Sequence, residues 1–233
     1  MSPSDWQAIT LTLKLAVIST LVLLALAIPL AWWLSQTRSR VRPLLEAIVA
    51  LPLVLPPTVL GFYLLIALGP AGVIGGSLET IGFSHLAFSF TGLVIGSVIY
   101  SLPFAVQPLQ NAFSQIPRSL LDAAACMRAK PSDRFLHVVM PLAKRGFITA
   151  AVLAFAHTIG EFGVVLMIGG NIPGETQVVA IAIYDHVEGL NYGAANQLSL
   201  LLLVFSLLVL LAVYSLNRDG SALFTRNRQE LPK

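Results

Sequence analysis

Five long apolar stretches alternate with short polar segments along the 233 residues of this chain. The stretches are predicted at residues 6–35, 46–68, 86–109, 142–168 and 197–216. Each is long enough for a helix that crosses about 30 Å of hydrocarbon at about 1.5 Å per residue. Charged residues make up 11% of the chain, against about 25% in a soluble domain. The sequence therefore predicts an all-α integral membrane protein with five transmembrane helices.

The positions of Lys and Arg predict the topology. Of 14 such residues, three follow the first stretch, six lie from Arg118 to Arg145, and four lie in a polar tail at 218–233. The connections 69–85 and 169–196 contain none. Because positive residues concentrate in cytoplasmic segments, the N-terminus is predicted outside and the C-terminus inside. The placement of the positive residues in predicted cytoplasmic segments accounts for the net charge of +3. We therefore expect membrane lipid, and no nucleic acid, as a partner.

The most polar internal segment is residues 117–141, which we call the handle. It reads PRSLLDAAACMRAKPSDRFLHVVMP and is too polar to span a bilayer. A first short helix would have one apolar face, and a second helix can begin after Pro131. The predicted members of that face are Leu120, Leu121, Ala124, Ala125 and Met127. The charge pattern places the handle on the cytoplasmic side.

Several residues inside the apolar stretches interrupt their pattern. Pro52, Pro56 and Pro57, followed by Thr58, break the backbone hydrogen bonds of the second stretch. They indicate either a structural kink or a gating helix that lines a pathway, and both interpretations stay open. His157 and Glu161 share one helix face in the fourth stretch and indicate a hydrogen-bonded pair or pathway-lining groups. Lys14 in the first stretch is predicted to extend toward the membrane surface.

Signatures of an enzyme are absent from the sequence. There is no phosphate-binding Gly-rich loop with Lys and no zinc-ligand pattern of Cys or His. His157 and Glu161 alone would supply only half of a metal site. We therefore predict no catalytic residue, no metal and no cofactor in this chain. A transport or channel subunit with a separate energy source fits the pattern better.

The handle resembles the coupling loop of ABC-transporter permeases. That family pattern is Glu-Ala-Ala, a Gly four residues after the second Ala, and a hydrophobic-Leu-Pro ending. This chain has Asp122-Ala123-Ala124, Arg128-Ala129 and Met140-Pro141 at the same spacing. Asp122 replaces Glu, Arg128 replaces Gly, and Met140 replaces Leu. The resemblance implies that the following residues dock on a cytoplasmic ATPase: Leu121, Asp122, Ala123, Ala124, Arg128, Ala129 and Pro141.

Two further stretches are similar to the molybdate permeases within that family. They are ALPLVLPPTVLG at 50–61 and GEFG at 160–163 followed by GGNIPG at 169–174. Sulfate and thiosulfate permeases share a version of the second stretch. The resemblance implies the type I importer fold over residues 6–217. It also implies a pathway or gate at Pro52, Pro56, Pro57, Thr58, Glu161 and Asn171.

The resemblance further implies the partners and the location. They are a second copy of this chain, two ATPase subunits that carry ATP and Mg²⁺, and an extracytoplasmic oxyanion-binding protein, in a bacterial inner membrane. The expected function is import of molybdate or tungstate by alternating access. A sulfate or thiosulfate permease, a secondary transporter and a membrane scaffold that recruits a cytoplasmic protein are the alternatives.

Overall fold

A computed structural model describes residues 1–218, and every regular element in that range is helical. The elements in chain order are α1 (Pro3–Gln36), α2 (Arg42–Ala50), a 3₁₀ turn (Leu51–Leu53), α3 (Pro57–Leu68), α4 (Val73–Thr80), α5 (Phe90–Ser114), α6 (Arg118–Cys126), α7 (Pro131–Arg134), a π-helical turn (Phe135–Val139), α8 (Met140–Leu142), α9 (Lys144–Ile159), α10 (Gly163–Gly169), α11 (Val179–Glu188) and α12 (Tyr192–Arg218). Apart from Arg218, the predicted tail lies outside the described residues.

Four helical segments in the described chain are long and apolar enough to cross a membrane: Pro3–Gln36, Pro57–Thr80, Phe90–Ser114 and Tyr192–Ser215. A fifth is counted if Pro131–Leu142 and Lys144–Ile159, which are bent by 75° to each other, form one span. The structure confirms the all-α membrane class, and it contains four spans, or five if the bent pair is counted as one, where five were predicted.

Two predicted spans are not continuous helices. The second, predicted at 46–68, changes to the 3₁₀ turn at Leu51–Leu53 and resumes at Pro57. Proline lacks an N–H and disfavours a helical residue before it, so the three prolines divide this stretch, and Pro57 starts α3 where a missing N–H costs little. The fourth, predicted at 142–168, is divided between α9 and α10 at residues 160–162.

The connections between spans also contain helices. Residues 69–85, interpreted as a glycine-rich loop, include α4 (Val73–Thr80). Gly72 and Gly75 allow α4 to fold tightly against the end of α3, since a Cβ on Gly75 would lie 2.1 Å from the carbonyl oxygen of Gly69. The connection 169–196 contains α11 (Val179–Glu188).

The core lies where α1, α5 and α9 pack together. Its fully buried side chains include Leu23, Leu34, Leu109 and Phe113. Several alanines of α1, such as Ala27 and Ala31, are completely buried and allow close approach of α5. In a membrane this tight van der Waals packing, rather than exclusion from water, holds helices together.

Polar contacts attach α11 to α1 at the end of the bundle opposite the handle. The backbone N–H of Val179 donates to Thr12 Oγ1 at 2.8 Å. His186 Nε2 lies 2.8 Å from Asp5 Oδ1. Lys14 is exposed on this half of α1, with its Nζ 4.7 Å from the centroid of the Phe90 ring. Lys14 thus lies on the outside of the bundle, and its extension toward the membrane surface stays a prediction.

Candidate functional site

The first helix of the handle, α6, has two different faces. Leu121 is half-buried and packs against the core of the bundle. Leu120, Ala123 and Met127 are exposed, and Met127 retains 83% of its accessible surface. Their spacing of three and four residues puts them on one side of the helix, which we call the outer face of α6. An exposed apolar helix face of this kind is typical of a surface that a partner covers.

The residues predicted to dock an ATPase therefore divide between two environments. Asp122 and Ala123 are exposed, whereas Leu121, Ala124 and Ala129 are half-buried. Pro141, also exposed, lies in α8 at the end of the handle. Leu120 and Met127 were predicted to share one apolar face with Leu121, but the structure turns Leu121 toward the bundle and leaves the other two exposed. Neither of the two was named as a docking residue, although their spacing to Ala123 was available as a signal. The docking role of the whole set stays a prediction.

A basic cavity of about 410 Å³ separates α6 from the end of α1. Its charged lining residues are Arg38, Arg118, Asp122 and Arg134. Asp122 forms no ion pair within residues 1–218, and the buried Nε of Arg134 has no hydrogen-bond acceptor there. The net positive charge of this cavity adds to the cationic character of the handle.

Arg128 adopts the left-handed backbone conformation that ends α6. Its φ is 61°. The N–H of Arg128 donates to the carbonyl of Ala125 at 2.9 Å, and the N–H of Ala129 donates to the carbonyl of Ala124 at 3.1 Å. This is the Schellman arrangement, in which glycine is preferred at the position that Arg128 holds. Arg128 thus forms this turn at the position where the coupling-loop pattern that the handle resembles has Gly.

Four aromatic rings join the handle to the bundle. Phe135 of the handle lies 5.5 Å from the ring of Trp32 in α1 and 6.1 Å from Phe113 in α5. Phe113 also contacts Trp32 at 5.5 Å and Phe147 in α9 at 5.6 Å, all between ring centroids and edge to face. We call these four residues the aromatic joint. Edge-to-face pairs are favourable, so the aromatic joint holds the handle in direct contact with α1, α5 and α9.

Glu161 lies at the break between α9 and α10 and is 3% exposed. Ser97 of α5 donates its hydroxyl to Glu161 Oε2 at 2.6 Å, and Oε1 has no hydrogen-bond donor in the described chain. His157 Nδ1 lies 2.9 Å from Ser101 Oγ, and Phe104 stacks on its imidazole at 4.0 Å. His157 and Glu161 therefore both face α5, but they bind different serines and not each other.

The proline turn of the second stretch approaches the same break. A Cβ on Gly163 would lie 2.8 Å from the Cβ of Pro57 and 3.5 Å from the backbone nitrogen of Thr58. Gly163 thus lets α10 begin directly against the start of α3, two residues after Glu161. Pro56 precedes α3, and Pro52 is buried in the 3₁₀ turn. The structure brings Pro57 and Thr58 near the break that contains Glu161.

Asn171 has a different setting from the other predicted pathway residues. Its side-chain amide donates to Asp185 Oδ2 at 2.6 Å, and Gln177 donates to the same oxygen at 2.8 Å. These bonds attach the connection after α10 to α11. Asn171 thus helps to hold this connection against α11, and its pathway role stays a prediction.

A row of three amide side chains on α5 was not identified from the sequence. Gln107, Asn111 and Gln115 are four residues apart and exposed. They line a cavity of about 640 Å³ between α5 and the start of α9. Amides repeated at helical spacing in an apolar stretch were the signal that could have revealed this surface. Among the described residues, no group of three or more His, Cys, Asp or Glu could hold a metal ion.

The chain is a helical membrane bundle with a polar handle. The handle contacts three helices of the bundle and presents an apolar face outward. This arrangement defines a class of transport protein. The fold is that of the transmembrane domains of type I ABC importers. A solved bacterial ABC transporter involved in import of the acidic polysaccharide alginate has a TM-score of 0.76 to this chain, with 21% identity over 94% of this chain and 80% of that one.

The chain belongs to the family described as binding-protein-dependent transport system inner membrane component, which matches residues 26–219. It is 57% identical to the molybdenum transport system permease protein ModB of Azotobacter vinelandii, over 96% of this chain and 99% of the relative. It is 35% identical to the protein of the same name from Escherichia coli K12, over 90% of this chain and 93% of that relative.

Proposed function

We propose that this chain is the permease subunit, and not an enzyme, of an ATP-driven importer whose cargo is molybdate or tungstate. The observation that carries the proposal is the 57% identity to a molybdenum transport permease, which extends over 96% of the chain. That similarity includes the handle, the proline turn and the break at Glu161. Molybdate and tungstate are tetrahedral dianions of similar size, so the same pathway would admit both.

The proposed assembly follows from the faces that a single chain leaves open. The cavity between α5 and α9 opens to one side, so a second copy of the chain facing it would close a pathway. The outer face of α6 would dock in an ATPase subunit, one for each copy, and ATP and Mg²⁺ would bind there. The family description supports an external binding protein that delivers the anion. The distribution of Lys and Arg supports a cytoplasmic handle in a bacterial inner membrane.

The proposed mechanism is alternating access driven through contact. ATP would draw the two ATPase subunits together, and each handle would move with its ATPase. The aromatic joint links Phe135 to α1, α5 and α9, so this movement would change the arrangement of the helices around the pathway. The binding protein would select the anion, which explains why this chain needs no deeply buried cation.

Uptake competition tests the cargo. The permease, its ATPase and its binding protein are reconstituted in liposomes, and ATP-dependent uptake of labelled molybdate is measured. We expect unlabelled tungstate to compete at equal concentration and sulfate to compete only in large excess. Uptake of sulfate in preference to molybdate would overturn the proposed cargo. Uptake driven by an ion gradient without ATP would identify a secondary transporter instead.

Two substitutions on α6 test the docking role. Ala123→Glu puts a charge on the outer face of α6 and should prevent co-purification of the ATPase while leaving the melting temperature of the permease unchanged. Leu121→Ala acts on the inner side, so it should lower the free energy of unfolding by about 1–2 kcal/mol, which Ala123→Glu should not do. Normal ATPase association and uptake in Ala123→Glu would contradict the docking assignment.

A further inference from the structure

The cavity between α5 and α9 has a lining suited to an anion. Its polar residues are Gln107, Asn111, Gln115, Arg145 and Thr149, and no Asp or Glu is among the described residues that line it. It lies beside the handle, because α5 leads into the handle and α9 follows it. At about 640 Å³ it is much larger than a tetrahedral oxyanion of five heavy atoms. An anion in it would keep part of its water, which favours brief occupancy over tight capture.

Among the described residues of this lining, Arg145 is the only cation. Its side chain is exposed and forms neither a hydrogen bond nor an ion pair within residues 1–218. A guanidinium offers several N–H donors in a planar fork that matches two oxygens of an oxyanion. The neighbouring Lys144 is also exposed but does not line the cavity. The two adjacent cations therefore differ in what they can contact.

The amide row supplies neutral donors along the same wall. Gln107, Asn111 and Gln115 form no side-chain hydrogen bond to other members of this row, and each is exposed. Polar side chains facing hydrocarbon are costly, so exposed amides in a membrane helix require water or a polar partner. Amides can donate to an anion without adding charge, and exchange with water is easy. The row therefore suits an anion that must move on.

A nearby carboxylate does not cancel this positive character. Glu46 lines a second, adjoining cavity that shares Gln107 and Asn111. Its Oε1 accepts hydrogen bonds from Arg42 Nε at 2.8 Å and from Gln110 Nε2 at 2.6 Å. Because Arg42 forms an ion pair with it, the charge of Glu46 is compensated locally.

We propose that this cavity is a transit site for the oxyanion, in which Arg145 makes the charged contact and the amides of Gln107, Asn111 and Gln115 donate hydrogen bonds. The site accepts a tetrahedral dianion after the pathway has opened toward the handle and releases it to the cytoplasm. This inference rests on the proposed importer function. It deepens that function by assigning a recognition site to the permease itself.

Direct binding measured on a matched pair of variants tests the site. The permease–ATPase complex is placed in nanodiscs without nucleotide or binding protein, and binding of labelled molybdate is measured by equilibrium dialysis. Arg145→Gln should weaken binding about tenfold or more, as expected for loss of a charged hydrogen-bond donor. Lys144→Gln removes the same charge one residue away and should change binding less than twofold. Arg145→Lys should retain part of the affinity, because the charge remains without the fork.

The controls separate the site from other sources of binding. Isolated ATPase is measured in parallel, and wild-type binding that is fully explained by the ATPase would overturn the proposal. Equal effects of Arg145→Gln and Lys144→Gln would also overturn it, since they would indicate only general surface charge. Asn111→Ala provides a second variant in case Arg145→Gln fails to fold, and it should weaken binding several-fold.

The outcomes distinguish this inference from the proposed cargo. If the complex imports sulfate and not molybdate, the cargo proposal fails, and sulfate binding should then depend on Arg145. If molybdate is imported while its binding is independent of Arg145, the transit site fails and the importer function stands.

Discussion

The two halves of α5 use polar side chains in opposite ways. In the first half, Ser97 and Ser101 are completely buried and bind Glu161 and His157 across the helix interface. In the second half, the row that begins at Gln107 is exposed and lines an open cavity. The short hydroxyl groups form hydrogen bonds inside the bundle and hold helices together. The longer amides face the open cavity, where they can bind water or a polar partner. One helix thus combines a segment held by buried hydrogen bonds with a segment that lines an open cavity.

The largest effect is expected from Glu161→Ala in the fixed half. The change removes the acceptor of the Ser97 hydroxyl and leaves an empty volume beside α5. We expect the free energy of unfolding to fall by about 2–4 kcal/mol, measured by thermal or denaturant unfolding of the solubilised permease. Glu161→Gln keeps an oxygen acceptor and should lose less than half as much. Unchanged stability of Glu161→Ala would show that this contact does not fix the helices.

Asn111→Leu, in the open half of α5, is expected to have an intermediate effect, and on uptake rather than on stability. The side chains are similar in size and the site is exposed, so the free energy of unfolding should change by less than about 0.5 kcal/mol. Molybdate uptake should nevertheless fall about tenfold, because a wet hydrogen-bonding position becomes apolar.

Ser101→Ala is the counterpart of Asn111→Leu from the fixed half. It should lower the free energy of unfolding by about 1 kcal/mol, because Ser101 contacts both His157 and Thr158. If Asn111→Leu destabilises the protein as much as Ser101→Ala, the distinction between the two halves of α5 is wrong.

The smallest effect is expected at Arg128, outside both halves. Arg128→Gly removes the strain of a positive φ and should stabilise the handle by at most about 1 kcal/mol, observed as slower amide hydrogen exchange in α6. Arg128→Ala keeps the strained backbone but removes the guanidinium. Weaker ATPase association in both variants would assign a partner contact to the side chain. Faster exchange in Arg128→Gly would contradict the role of the left-handed turn.

Much of the fold could be predicted because the bilayer imposes simple rules on length and charge. Stretch length and hydropathy were sufficient for the helical class and for the approximate positions of the spans. The helix breaks at Pro57 and Gly163 were harder to predict, because local sequence patterns do not specify where the starts of two helices meet. The contact between those residues depends on how α3 and α10 pack.

The candidate site was predicted less completely, for a similar reason. The resemblance of the handle to a coupling loop was sufficient to identify Asp122 and Ala123 as docking candidates, but it could not show that Leu121 packs inward against the bundle. Arg128 could be recognised only as a departure from Gly, and its left-handed conformation required the backbone. Arg145 was counted as a topological charge, because only the three-dimensional arrangement places it in a cavity and leaves Lys144 outside.

The two faces of α6 have a consequence for how such a transporter can diversify. Leu121 contacts the bundle, while Leu120 and Met127 are exposed. If the outer face of α6 docks the ATPase as proposed, substitutions there would change which ATPase is accepted without disturbing the internal packing of Leu121. Partner choice and force transmission are then separately adjustable traits, and chimeras that exchange only the exposed residues offer a route to permeases powered by a foreign ATPase.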